Sequence, residues 1–402
     1  MKKKKIKLNF LNTDEKKYLS KLDYDKQKSL IKIFYKLNNI NNDSIPFRFK
    51  LLELNTTNNN KAYLLKLYNI FSNLDTSSQE YFKYKIFFDT ITNIPFSIYS
   101  KLNINKFNIN NNKKYNINDY LIYSKKNLDD TIYGHHKVKD IILQTITQLI
   151  TNPKSIGNII GLQGPPGVGK TSIIKNISHI LQRPLEIINL SGSQDVSYLE
   201  GHSFTYEGSK YGKIVETLIK HKTMNPIIFF DEVDKISKTE KGLELENLLI
   251  NIIDITQNYN FYDKYLQELQ IDLSKILFIF SYNDSSSINP ILKDRIYEIN
   301  ISNYSDLDKL NIAIDFIIPD LLKQYSFQKN DLTFNKNSIS YIISNLCSSD
   351  EGVRNLKHIL NNIISKIHII YVTKNNFIIN TKSSHKIKFP LILDKINIKY
   401  FL

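Results

Sequence analysis

Residues Gly164 to Thr171 read Gly-Pro-Pro-Gly-Val-Gly-Lys-Thr, and about sixty residues later Ile227-Ile228-Phe229-Phe230 runs into Asp231-Glu232. Two glycines five apart followed by Lys and Thr are the spacing of a P-loop. Gly164, Gly167 and Gly169 let the backbone turn tightly enough to aim successive N–H groups at phosphate oxygens, and a helix starting there adds positive potential. The candidate phosphate-binding residues are therefore Gly164, Pro165, Pro166, Gly167, Val168, Gly169, Lys170, Thr171 and Ser172. Lys170 is expected to reach the β and γ phosphates, and Thr171 a Mg²⁺ ion. The implied ligand is ATP or GTP.

The acidic pair supplies the hydrolytic half. Four large apolar residues before Asp231 suit a strand buried on both faces of a parallel sheet, so that the carboxylates emerge at its C-terminal edge, where ligands bind in open α/β sheets. Asp231 is expected beside the Mg²⁺ shell. Glu232 is placed to polarise a water against the γ-phosphate, which needs a carboxylate that is not a metal ligand.

These residues need a sheet to carry them. The apolar segment Ile159 to Leu162 predicts the strand before the P-loop, and Ser172 to Leu181 the helix after it. Further strands are expected at Leu185 to Asn189, Ile227 to Phe230, Ile276 to Ser281 and Tyr297 to Ile301, with helices between them, which implies an α/β parallel sheet. Residues 1 to about 80 read as helical, with Lys16 to Leu37 amphipathic and Asn-rich turns at Asn38 to Asp43 and Asn55 to Asn60. Asn103 to Asn116 reads as a linker and Val138 to Ile150 as a helix leading into the first strand. From Ser305 to about Tyr371 the pattern is helical with no strong strand. The expected division is a mostly helical N-terminal module with its linker (1–127), a P-loop domain (128–303), a small all-α subdomain (304–372) and a short tail (373–402).

Composition bounds the rest. The chain has 402 residues, 42% of them hydrophobic, and a net charge of +15. No apolar run is long enough to span a membrane, and Met1 to Lys7 lacks the apolar core of a secretory signal, so a cytoplasmic setting is expected. The lone Cys347 excludes an intramolecular disulfide and reads as a buried small residue in a reducing compartment. Residues 1–50 carry fourteen Lys/Arg against five Asp/Glu, whereas residues 131–300 sum to −2. The N-terminal lysines read as a solvated face, with an acidic partner, nucleic acid included, as the alternative. His135, His136 and His202 have no metal-ligand partner set and read as structural or solvent-facing.

At the level of ordered motifs the chain resembles the ATPase part of the Lon family of ATP-dependent proteases, within the AAA+ superfamily. The resemblance begins at Ile94-Pro95-Phe96 and Leu128-Asp129-Asp130 with Tyr133-Gly134. It passes through Leu199-Glu200-Gly201-His202, Thr205-Tyr206-Glu207-Gly208 and Gly212-Lys213, then Asp231-Glu232-Val233-Asp234-Lys235-Ile236. It continues with Gln257-Asn258, Phe261, Asp263, Tyr265-Leu266 and Asp272-Leu273-Ser274-Lys275, then Asn283, Asp294-Arg295 and Glu351-Gly352-Val353-Arg354. The Asn- and Lys-rich style resembles Lon-like ATPases of large DNA viruses.

The resemblance implies a P-loop AAA+ fold with ATP and Mg²⁺ as ligands. It also implies further roles: Asn283 orients the attacking water, Arg295 reaches the γ-phosphate of a neighbouring subunit, Arg354 reports nucleotide state from the helical subdomain, and Tyr133 lies against the adenine. A site completed in trans implies a homo-oligomeric ring, most simply a hexamer. Tyr206 falls where the family places an aromatic that grips extended polypeptide in a central pore, although Glu207 stands where an apolar residue usually follows. Only 48 residues follow Arg354, too few for a protease domain of roughly 200 residues, and Ser383, Ser384 and Lys386 have no fold to position them. The expectation is an ATPase that unfolds or remodels protein substrates, with any peptidase a separate partner. Two other readings predict different behaviour: a nucleic-acid-associated AAA+ motor using the basic N-terminus, and a scaffold that binds nucleotide but scarcely turns it over.

Overall fold

The computed structural model describes residues 13–41, 45–102, 117–152, 159–192, 195–328, 330–374 and 388–402. The basic segment Met1 to Lys7, the linker Asn103 to Asn116, and Ser383, Ser384 and Lys386 lie outside the described residues. The chain separates into two compact units, Met1–Thr92 and Asn93–Leu402.

The first unit is helical: α1 Thr13–Ser20, α2 Tyr24–Asn41, α3 Phe47–Glu53, α4 Asn58–Ser72 and α5 Gln79–Asn93. The single amphipathic stretch expected from Lys16 to Leu37 is two helices. Leu22-Asp23 breaks it, with the Gln27 amide donating to the Leu22 carbonyl at 2.8 Å. The turn expected at Asn38 is helical as far as Asn41, and the one expected over Asn55 to Asn60 is shorter. Thr57 accepts from Asn60 N–H at 3.2 Å and Asn60 donates to Thr56 Oγ1 at 2.8 Å, so capping lets the asparagines enter the first turn of α4. Phe71 stacks on Tyr81 at 4.8 Å and lies 5.3 Å from Phe88, which makes an aromatic core for this unit.

The second unit opens with α6 Ile117–Thr131 and α7 His136–Thr151. Most of α6 falls within residues 1–127, which the sequence assigns to the N-terminal module with its linker. Instead the buried Tyr120 donates to the Ile180 carbonyl of the helix after the P-loop, and Leu128 joins the same core as Ile160 and Ile173. Burial of Tyr120 and Leu128 against that helix moves the boundary to the N-terminal side of α6.

The sheet strands are β1 Ile160–Gln163, β2 Leu185–Asn189 and β3 Ile227–Asp231, followed by a hairpin of β4 Phe261–Tyr262 and β5 Gln270–Ile271, then β6 Leu277–Tyr282 and β7 Tyr297–Asn300. Five of them pair in the order β2-β3-β6-β1-β7, all parallel. Each of the predicted strands forms, shifted by a residue at most ends. Strands β3 and β6 are the buried centre: Phe230 stacks on Phe280 at 5.2 Å. Strand β1 lies between β6 and β7, both much later in the chain, so the strand order reverses at β1 and opens a crevice at the C-terminal edge there. Helices α8 Lys170–Leu181, α9 Ser197–Glu200, α10 Lys213–His221, α11 Glu240–Ile253 and α12 Pro290–Asp294 connect the strands.

The remainder is α13 Asp306–Ile312, a π turn at Ala313–Ile317, α14 Ile318–Gln324, α15 Lys336–Leu346 and α16 Arg354–Thr373. Pro319, which has no N–H to give to a preceding turn, follows the π turn. The absence of strands expected here does not hold. β8 Leu332–Phe334 pairs in parallel with β9 Leu391–Leu393, and Leu393, Ile398 and Phe401 are buried with Leu360 and Ile364 of α16. Residues 391–401 are thus part of the helical core, because three apolar side chains spaced along them find cover only there. Cys347 is buried in the same core. Among the described residues no helix is long and apolar enough to cross a membrane.

Candidate functional site: the P-loop crevice

The loop between β1 and α8 has the backbone that its glycines predict. Gly167 and Gly169 adopt φ of +83° and +95°, where a β-carbon would be strained. Gly164 has no room for a side chain, since a β-carbon would fall 2.6 Å from the Ile301 carbonyl. Lys170, at the first position of α8, curls into its own loop. Its ammonium donates to the Gly164 carbonyl and, at 2.7 Å, to Asn283 Oδ1 just after β6. Burial pulls Lys170 below the usual lysine range, while Asp231, Asp234 and Glu232 pull it back towards the charged form. Thr171 and Ser172 are exposed on the first turn of α8.

Asp231 closes β3 and Glu232 follows in a left-handed conformation at φ 59°. A non-glycine residue held there stores strain that the surroundings must impose. Ser281 imposes it. Its hydroxyl, buried on β6, donates to Asp231 Oδ1 and accepts the Glu232 backbone N–H at 3.3 Å. Asp234 completes the acidic side, with one carboxyl oxygen buried and without a partner and the other 3.4 Å from Asp284 N.

The helical subdomain closes over the P-loop. Val353 N–H donates to the Gly167 carbonyl at 3.1 Å, and a β-carbon on Gly352 would fall 2.5 Å from the Pro166 carbonyl oxygen, so only glycine fits that crossing. This contact sets Arg354, first residue of α16, directly against Gly167. Tyr304 Oη donates to the Val168 carbonyl at 3.1 Å, and His135 approaches the same carbonyl at 3.2 Å with its ring 4.9 Å from that of Tyr304. Burial drives His135 below the usual histidine range, towards the neutral ring. His135 is structural, as expected, but its task of bracing the P-loop, shared with Tyr304, was not legible in the sequence. Its one local sign is the Gly134-His135 turn, with both residues at positive φ. His136 and His202 are exposed.

The geometry brings Lys170, Thr171, Asp231, Glu232, Asn283 and Arg354 to one crevice. Tyr133 sits at its helical side: its hydroxyl accepts from Asn311 at 2.9 Å and its ring meets Phe316 edge-on at 6.4 Å. Arg295 is elsewhere. It follows α12 and pairs with Asp254 at 2.5 Å and the Ile250 carbonyl at 3.3 Å, both at the end of α11. Tyr206 lies in a separate loop, 67% exposed.

The crevice suits a triphosphate with a hard cation. It offers a glycine cradle at a helix N-terminus, one ammonium, one strand-end carboxylate and a hydroxyl, which is the sparse protein set that leaves room for phosphate oxygens around Mg²⁺. Among the described residues no three His, Cys, Asp or Glu form a protein-only metal cage.

Residues 160–303 match the family described as ATPase family associated with various cellular activities (AAA). The chain is 38% identical over 83% of its length to a Lon protease homolog of Acanthamoeba polyphaga mimivirus, covering 32% of that protein. It is 37% identical over 74% of its length to Lon protease 1 of Borreliella burgdorferi, covering 35% of it, and 33% identical over 83% to Lon protease of Clostridioides difficile, covering 40% of it. The chain spans roughly a third of the length of the curated relatives it matches. With a P-loop at the switch point of a five-stranded parallel sheet, residues 160–303 form a domain of the AAA ATPase family, and over most of its own length the chain is similar to Lon proteases.

Proposed function

We propose that the chain hydrolyses Mg²⁺-ATP and uses the energy to unfold or remodel protein substrates as a subunit of a homo-oligomeric ring, most simply a hexamer. The observation that carries the hydrolytic part is the convergence of Lys170, Asn283, Asp231 and Glu232 on one crevice, with Ser281 fixing the acidic pair. The glycine loop and Lys170 bind the phosphates. Thr171 and Asp231 would hold Mg²⁺, whose contribution is to neutralise charge on the phosphate oxygens. Glu232 accepts the proton of the attacking water and Asn283 orients that water. Lys170, freed from Gly164, turns to the phosphates when they arrive. Tyr133 and Arg354 bind the nucleotide from the helical side. Arg295, paired with Asp254 away from its own P-loop, is available to a neighbouring subunit's site. Tyr206, exposed on its loop, grips polypeptide by apolar contact.

The test is the ATPase rate of the purified protein against an unfolded model protein and, separately, single-stranded and duplex DNA, with Glu232→Gln as the blank. Stimulation by the unfolded protein, lost in Tyr206→Ala, supports a polypeptide-handling motor. Stimulation by DNA alone transfers the function to nucleic acid and leaves the site intact.

A further inference from the structure

The exposed Tyr206 stands at the tip of a loop, residues 201–212, whose two ends meet. Gly201 and Gly212 lie back to back: a β-carbon on Gly212 would fall 2.6 Å from Gly201 N. The His202 N–H donates to the Lys210 carbonyl at 3.0 Å, closing the next rung. A loop entered and left through glycine has a neck with little stiffness of its own.

The stiffness comes from outside the loop. Asp263, wholly buried after β4, accepts the Gly212 N–H at 2.7 Å through Oδ2 and the Tyr265 N–H at 2.9 Å through Oδ1. Its Oδ1 also lies 2.7 Å from where a Gly201 β-carbon would be. The next residue, Lys264, donates its N–H to the Glu200 carbonyl at 2.7 Å and pairs its ammonium with the Glu200 carboxylate. Both stems of the loop are therefore fastened to the β4–β5 hairpin. Burying a carboxylate is costly unless it is hydrogen-bonded, and bonds from N–H to a carboxylate are among the short, strong ones.

The neck is also joined to the hydrolytic site. Gly212 leads straight into α10, and the buried Glu186 of β2 holds that helix through Lys213 at 3.1 Å, Lys220 at 2.8 Å and His221 at 2.9 Å. Strand β2 in turn pairs with β3 so that Asn189 stands beside Asp231.

We propose that Asp263 is the positioning residue that makes the 201–212 loop a rigid lever, so that rearrangement around Asp231 and Glu232 reaches Tyr206 as a displacement. The proposal rests on the reading of Tyr206 as the substrate-gripping residue. Without the carboxylate the glycine neck absorbs the movement, and ATP is hydrolysed without work on the polypeptide.

Asp263→Asn keeps the size and one acceptor. The expected result is a basal ATPase rate within about twofold of wild type, loss of stimulation by an unfolded model protein as complete as in Tyr206→Ala, and at least tenfold faster amide exchange in residues 201–212 with the P-loop peptide unchanged. Wild-type stimulation with unchanged exchange overturns the proposal. So does a parallel fall in basal rate and P-loop protection, which makes Asp263 a general support of the fold. If the wild-type rate ignores unfolded protein, the proposed function fails, and the exchange pattern by itself then decides whether Asp263 holds the loop. Asp263→Ser repeats the measurements should the asparagine variant not fold.

Discussion

The Ser281 hydroxyl on β6 donates to the Asp231 carboxylate at the end of β3, and the Glu232 N–H donates back to the same hydroxyl. One side chain thus holds both acidic residues, the second through the N–H of its left-handed backbone. Hydrogen bonds to charged groups contribute about 1.5–3 kcal/mol. Ser281→Ala is expected to lower kcat by about ten- to a hundredfold on that scale and to raise the Mg²⁺ concentration giving half-maximal rate. Ser281→Thr keeps the hydroxyl and should restore most of both. A Mg²⁺ titration of the three proteins checks this, and an alanine variant with a wild-type curve removes the role.

Binding and hydrolysis should separate by residue. Glu232→Gln is expected to bind ATP normally and hydrolyse it roughly 10²–10⁴ times more slowly, the usual range for losing a general base. Lys170→Ala should lose binding itself, since Lys170 is the cation that the loop's own residues supply to the phosphates. Fluorescent-nucleotide binding and phosphate release, measured on the same samples, distinguish the two.

Arg295 pairs with Asp254 of its own chain and not with its own P-loop. If it serves a neighbour, Arg295→Ala and Lys170→Ala are each inactive alone, yet a mixture regains activity because some interfaces receive one intact half from each. A mixture as inactive as its components would make Arg295 a structural residue.

The crossing of Gly352 over the P-loop leaves no space for a methyl group, which would sit 2.5 Å from the Pro166 carbonyl oxygen. Overpacking of this kind costs about 1–3 kcal/mol. Gly352→Ala is expected to weaken ATP binding about tenfold or more by lifting Arg354 and Val353 off the loop, with a smaller change in the melting temperature of the nucleotide-free protein. Isothermal titration and thermal denaturation give the two numbers.

Burial raises the Asp263 carboxyl to about 7, against its backbone donors and with Glu200 pushing the same way. The folded value lies above the ordinary 3.8, so the folded state holds the proton more tightly. Its contribution to stability is full below the unfolded pKa and is lost as pH rises through about 7. Wild-type stability should therefore fall between pH 5 and pH 8 more steeply than that of Asp263→Asn. Denaturant melts at the two pH values test it, and parallel slopes would contradict the assignment.

What was legible in the sequence is what short stretches carry. The Gly164 to Thr171 spacing, the apolar run ending in Asp231-Glu232 and the strand periods are local, and they gave the nucleotide cradle, the acidic pair and the alternation that makes a parallel sheet. Local reading failed where long-range packing decides. The helix expected across Lys16 to Leu37 is broken at Leu22-Asp23, and α6 packs on the P-loop helix through a tyrosine sixty residues from its acceptor. The final residues enter the helical core through β9 because Leu393, Ile398 and Phe401 need burial that their own segment does not provide.

The sequence alone determined which groups could meet phosphate, since backbone turns and helix starts follow from residues within a few positions of one another. Tertiary structure alone decided which groups meet each other. Ser281 reaches Asp231 only through the register of β3 on β6, Gly352 reaches Gly167 only when the helical subdomain closes, and Asp263 reaches Gly212 only across a hairpin. Strand register and subdomain closure are set by the fit of whole surfaces, and no spacing of residues along the chain encodes that fit.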